Sequence, residues 1–129
     1  MDAEFTVVSK KREELVDVTE KVEEFVSKSA KKSGICIVYT PHTTAAVTIN
    51  ENADPDVCAD ILASLNDIVK DVGFRHSEGN SAAHVKSSLL GCSQTVIVES
   101  GKLKLGTWQG IYLCEFDGPR TRRVFAKIV

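Results

Sequence analysis

Ile35-Cys36-Ile37-Val38-Tyr39-Thr40 is a continuous apolar run, and Pro41-His42 cuts it short. A run of this length, rich in β-branched residues, reads as a buried strand. Proline has no amide donor for a sheet ladder, so the strand ends there. Ala45-Ala46-Val47-Thr48-Ile49 resumes as a second strand, which leaves His42, Thr43 and Thr44 at a junction between strands.

Similar runs recur along the chain. Strands are expected at Glu4 to Ser9, Thr95 to Val98, Gly110 to Phe116 and Arg123 to Val129. Lys10-Lys11-Arg12-Glu13-Glu14 reads as a solvated turn or strand rim. Val18, Val22, Phe25 and Val26 repeat at helical spacing, with Asp17 or Thr19 as cap, Glu20 completing a capping box and Ser33-Gly34 as the stop. Asp54-Pro55 opens a second helix with an apolar stripe of Val57, Ile61, Leu65, Ile68 and Val69. A short third helix is expected from Ala82 to Leu90, capped by Asn80 or Ser81 and stopped by Gly91. Asp117-Gly118-Pro119-Arg120 is a turn. The sum is an α+β domain over residues 1–129, a mostly antiparallel β-sandwich or distorted barrel of about six strands with two main helices and a short third.

Bulk properties narrow the class. The 129 residues suit one domain with its own core. A net charge of −2 gives no hint of nucleic-acid binding. No apolar run approaches a membrane span, and Met1-Asp2-Ala3-Glu4 is not a secretory start, so a cytoplasmic protein is expected. Cys36, Cys58, Cys92 and Cys114 form no C-x-x-C pair and read as free thiols rather than disulfides or a zinc site.

The chemistry-bearing residues fall outside the apolar stripes. His42, His76 and His84 are the only histidines, and imidazoles in loops suit a metal ion or acid–base work. His84 and Ser88 share a helix face, with Ser87 beside them. That pairing suits nucleophile activation, although no G-x-S-x-G elbow is present. Lys86, the hydroxyls and a helix start together suit phosphate; surface residues of a helix are the plainer reading. Asn50, Glu51, Asn52, Asp54 and Asp56 surround the second helix start. Capping explains Asp54 but not Glu51 or Asn52, which leaves them for magnesium or acid–base chemistry. Arg120 and Arg122 are expected to point one way from an extended strand and Arg123 the other, which suits a pyrophosphate or a charge-guarded edge. Gly106-Thr107-Trp108-Gln109-Gly110 holds the only Trp, either in a hairpin with a core indole or in a loop aimed at a ligand.

Taken in order, these blocks resemble the YjbQ family, also called UPF0047. They are His42-Thr43-Thr44-Ala45 with Asn50-Glu51-Asn52-Ala53-Asp54-Pro55; Glu78-Gly79-Asn80 with His84 to Gly91; Gly101 with Gly106 to Ile111; and Gly118-Pro119-Arg120 with Arg122. The resemblance covers nearly all the chain after Ser33. It implies a β-rich α+β fold assembled as a homotrimer, with sites in clefts at subunit contacts. It also implies a secondary thiamine-phosphate synthase activity, a transferase reaction joining a hydroxymethylpyrimidine pyrophosphate to a thiazole phosphate. On that basis His42, Glu51, His84 and Ser88 are expected to be catalytic. Asn52, Lys86, Ser87, Trp108, Gln109, Arg120 and Arg122 are expected to hold a small phosphorylated substrate, with Trp108 stacked on a pyrimidine. His42, His76 and His84 are expected to bind a divalent metal, zinc or magnesium. Some relatives carry a longer acidic loop between the positions of His76 and His84; here it is short, with only Glu78. The alternatives are a metal-dependent hydrolase of a small phosphorylated metabolite and a non-catalytic ligand-binding trimer.

Overall fold

The computed structural model describes residues 2–129. The strands are β1 (Asp2–Val8), β2 (Glu14–Asp17), β3 (Gly34–Tyr39), β4 (Ala45–Glu51), β5 (Ser93–Glu99), β6 (Lys102–Leu103), β7 (Gln109–Glu115) and β8 (Thr121–Ile128). The helices are α1 (Thr19–Lys28), α2 (Pro55–Ile68) and α3 (Ser81–Leu90). One sheet has the order β1-β8-β3-β5-β6 and the other β2-β7-β4, with every pairing antiparallel.

The pleat explains the layering. On β4 and β7, Ala45, Val47, Ile111 and Leu113 face the core between the sheets, together with Val22, Phe25 and Val26 of α1. The alternate residues Ala46, Tyr112 and Cys114 face outward and meet Leu65 of α2 and Ala83 of α3. The small sheet is therefore covered on both sides, which is why Ile111 to Phe116 reads as unbroken apolar sequence apart from Glu115.

Several local expectations are corrected. Eight strands form, not about six: β2 continues from the charged run and β6 is a two-residue ladder. The capping box on α1 is absent; Val18 takes the cap position, and the Asp17 carboxylate accepts instead from the Thr19 N–H and hydroxyl. The helix also ends at Ser29, well before Gly34, which instead opens β3 at φ +147°. The third helix is as long as α1, at 10 residues. The Asp54 cap and Pro55 start on α2 form as expected, but Ile68 is 70% exposed, so only part of the stripe is covered.

Where Pro41 ends β3, side chains carry the ladder one step further. The Thr40 hydroxyl donates to the Arg123 carbonyl, and the Arg123 N–H donates to His42 Nε2 at 2.9 Å. Both backbone groups of Arg123 are thus satisfied on the side where β3 has ended, while β1 flanks the other side. This fixes the His42-Thr43-Thr44 junction to β8.

Candidate functional site

The junction and α3 enclose an open cleft of about 500 Å³ lined by His42, Thr43, Ala45, His84, Ser87, Ser88, Gly91 and Cys92. Ser87 ties the two walls together: its hydroxyl donates to the Thr43 carbonyl at 2.6 Å. His76 reaches α3 from the preceding loop, its ring edge-on to His84 with centroids 5.6 Å apart. All three histidines therefore gather at one end of the molecule. They do not form the expected ligand set. Among the described residues no group of three His, Cys, Asp or Glu is arranged to hold a metal ion. His42 also spends its Nε2 lone pair on the Arg123 N–H. The donor set does not fit a resident zinc or magnesium.

Behind the cleft lies a buried charge pair. Arg122 donates through Nε to Glu115 Oε1 at 2.9 Å and through a terminal nitrogen to Oε2, with a further bond to the Thr44 hydroxyl at 2.8 Å. Ser9 and the Asp117 N–H complete the shell around the carboxylate. Burial alone would raise the Glu115 carboxyl, but these donors outweigh it and hold the group below its usual value. His42 is shifted down, first by burial and then by repulsion from Arg122, Arg123 and Arg120, with Glu115 opposing. Arg120 is about half exposed and pairs with Asp117 at 2.9 Å.

The other expected residues divide into three groups. Lys86 is buried and points away from the cleft, donating to Glu13 and Asn66, each at 2.6 Å. With Arg122 committed to Glu115, two of the three expected substrate cations are internal struts. Ser88 has no base: its hydroxyl donates to the His84 carbonyl, the ordinary helix back-bond. Glu51, Asn52, Trp108 and Gln109 sit at the far end of the small sheet. Glu51 pairs with Gln109 and Ala45 with Glu115, so six strand steps, about 20 Å, separate this group from His42.

At that far end Trp108 is 63% exposed, which excludes the core reading of the indole. Its carbonyl accepts from the Asn52 N–H, and Asn52 in turn reaches Asp17 at 3.2 Å. Gln109 folds back onto its own turn, its Oε1 accepting from the Gly106 N–H. Gly110 is required here because a Cβ would come within 2.8 Å of the Asn52 side chain. The sequence reading gives Glu115, Glu13 and Cys92 no place in the site. Glu115 had a usable signal, a lone carboxylate inside an apolar strand one turn away from Arg122.

A family model described as UPF0047 protein YjbQ-like matches residues 3–129. UPF0047 protein MJ1081 of Methanocaldococcus jannaschii is 54% identical over 126 residues, covering 97% of this chain and 91% of that one. UPF0047 protein YugU of Bacillus subtilis is 54% identical, with 92% of each chain covered. A crystal structure from Clostridium acetobutylicum, described as an uncharacterized conserved protein of the YjbQ/UPF0047 family, superposes with a TM-score of 0.96 at 52% identity, covering 98% of this chain and 99% of that one. A YbjQ-like protein of unknown function from Sulfolobus solfataricus gives a TM-score of 0.96 at 36% identity, over 99% and 95% of the two chains. The chain belongs to the YjbQ-like UPF0047 family.

Proposed function

We propose that this protein binds a small phosphorylated molecule in the His42–His84 cleft and acts on it as a weak transferase of the thiamine-phosphate synthase type. The observation that carries the reading is the convergence of His42 and His84 on one cleft with the Ser87 and Ser88 hydroxyls, in the repulsive field that Arg122, Arg123 and Arg120 exert on His42 from behind it. In that reaction the bond between the pyrimidine methylene and the pyrophosphate oxygen breaks, and the thiazole nitrogen takes the carbon. Pyrophosphate leaves with the electron pair, so donors around it lower the barrier. A divalent cation would arrive as the counter-ion of the pyrophosphate rather than reside on the histidines.

The reading takes the protein as a homotrimer. The part-exposed stripe of α2 supports a partner there, and a neighbour's Trp108 end would supply the stacking wall that one copy keeps about 20 Å from His42. Binding without turnover is the second reading. The engagement of Lys86 and Arg122 inside the protein favours it, since both charges are absent from the cleft.

The test incubates the purified protein with the hydroxymethylpyrimidine pyrophosphate and the thiazole phosphate, with magnesium, and measures thiamine phosphate and released pyrophosphate. Slow product formation that falls at least ~10-fold in His84→Ala supports the transferase. Binding of either substrate without product supports the second reading. No product and no binding overturns both. Light scattering on the same sample reads the oligomer.

A further inference from the structure

His42 has two ring nitrogens in different circumstances. Nε2 accepts from the Arg123 N–H at 2.9 Å, a bond that requires a lone pair on that nitrogen. A neutral imidazole with a lone pair at Nε2 carries its proton on Nδ1. Among the described residues Nδ1 has no hydrogen-bond partner. Nor is it buried: among the described residues the only buried side-chain nitrogen or oxygen without a partner is Asn80 Oδ1. His42 lines the cleft, and its neighbours on the same wall are fixed as well: Thr44 by Arg122, and Thr43 by Ser87.

We infer that the backbone of Arg123 locks His42 in its Nδ1–H tautomer, so that His42 serves the cleft as a fixed hydrogen-bond donor to an oxygen of the ligand. It is neither a metal ligand nor a general base. A preset donor of this kind suits a phosphoryl, carboxyl or carbonyl oxygen, and it costs no reorganisation when the ligand arrives. The ligand class rests on the phosphate reading above; the tautomer does not.

The surroundings agree with a neutral ring. Arg120, Arg122 and Arg123 face it from β8 and the turn before it, and Glu115 from β7. His84 and Cys92 share the cleft from α3 and the segment after it. A second proton on Nε2 would set two donors against each other at the Arg123 N–H. The ring is expected to stay neutral below its ordinary value of 6.5.

The tautomer is read directly on uniformly ¹⁵N-labelled protein by long-range ¹H–¹⁵N correlation at about pH 7.5, with His42 assigned by loss of its signals in His42→Gln. A protonated-type Nδ1 with an unprotonated-type Nε2 supports the inference. A protonated Nε2, in either the other tautomer or the imidazolium, overturns it. Added zinc that moves the His42 nitrogens at one equivalent also overturns it.

Two variants separate the lock from the donor. His42→Gln can keep an acceptor near the Arg123 N–H but loses the Nδ1 donor. It should weaken orthophosphate binding at least ~5-fold, about 1 kcal/mol, with an unchanged unfolding midpoint. His42→Asn keeps a donor near Nδ1 and loses the lock, so its unfolding midpoint should fall. Equal phosphate affinity in His42→Gln and wild type overturns the donor role. If the wild type shows the Nδ1–H tautomer but binds no phosphate, the lock stands and the phosphorylated-ligand reading fails.

Discussion

Arg122→Met should destabilise the protein in a way that depends on pH with a defined sign. Methionine keeps most of the apolar stem and removes the charge that faces Glu115, whose side chain is fully buried. In the wild type the Glu115 carboxyl titrates below its ordinary 4.5, so its stabilisation is present above that value and is lost as the pH falls through the folded value. Without Arg122 burial prevails, and the folded carboxyl takes up a proton that the unfolded chain does not hold at neutral pH. Keeping a group of ordinary value 4.5 neutral at about pH 7 costs ~3.4 kcal/mol, at ~1.36 kcal/mol for each pH unit. Ser9 and the Asp117 N–H still favour the ionised form, so we expect a penalty of ~2–3 kcal/mol. At about pH 5 the same proton costs only ~0.7 kcal/mol, so most of the penalty should vanish. Urea unfolding of both proteins at the two pH values measures it. Arg122→Met combined with Glu115→Gln should recover most of the loss, because a neutral pair needs no counter-charge. A penalty that is the same at both pH values, or a double variant as unstable as the single, would refute the reasoning.

Four further outcomes are expected. Lys86→Met should cost ~1–3 kcal/mol in chemical unfolding, since Glu13 and Asn66 both lose their shared donor but Glu13 retains some access to water. Gly110→Ala should cost ~1–3 kcal/mol through the clash with Asn52, whereas Trp108→Ala should change stability by less than ~0.5 kcal/mol because the indole is exposed; paired unfolding curves check both. A thiol reagent at about pH 8 should modify Cys92 rapidly in the folded protein. Cys36 and Cys114, buried and with thiols pushed up to about 11 and about 12, should react only after denaturation, as peptide mass mapping will report.

What could be read from sequence was what local chemistry decides. Pro41 ended β3, Asp54-Pro55 started α2 and Gly91 stopped α3, each because one residue type removes or supplies a backbone option. The strand β2 was hidden because its edge is charged and its pairing with β7 is specified by residues almost a hundred positions away. The site was half legible for the same reason. Residue type identified His42, His84, Ser87 and Arg122 as chemically notable, and the fold did bring them to one end. Residue type could not tell that Arg122 and Lys86 point inward, since a cation's direction depends on where Glu115 and Glu13 land. Nor could it separate the Trp108 group from the histidines. Their distance is set by the register of β4 on β7.

The place of β8 in its sheet has a consequence for how the molecule is made. It lies between β1 and β3 and is the eighth of the eight described strands to be synthesised. Until it has left the ribosome, β1 and β3 lack the neighbour that joins them, and Asp2 must wait for Lys127. Pairing across such separations is slow, because a long loop closes before any contact rewards it. The nascent chain therefore has no Arg123 to hold His42 and no Arg122 to neutralise Glu115. A polypeptide that stops before Thr121 carries every histidine of the cleft but lacks the strand whose backbone holds His42, which ties the geometry of the site to the arrival of β8.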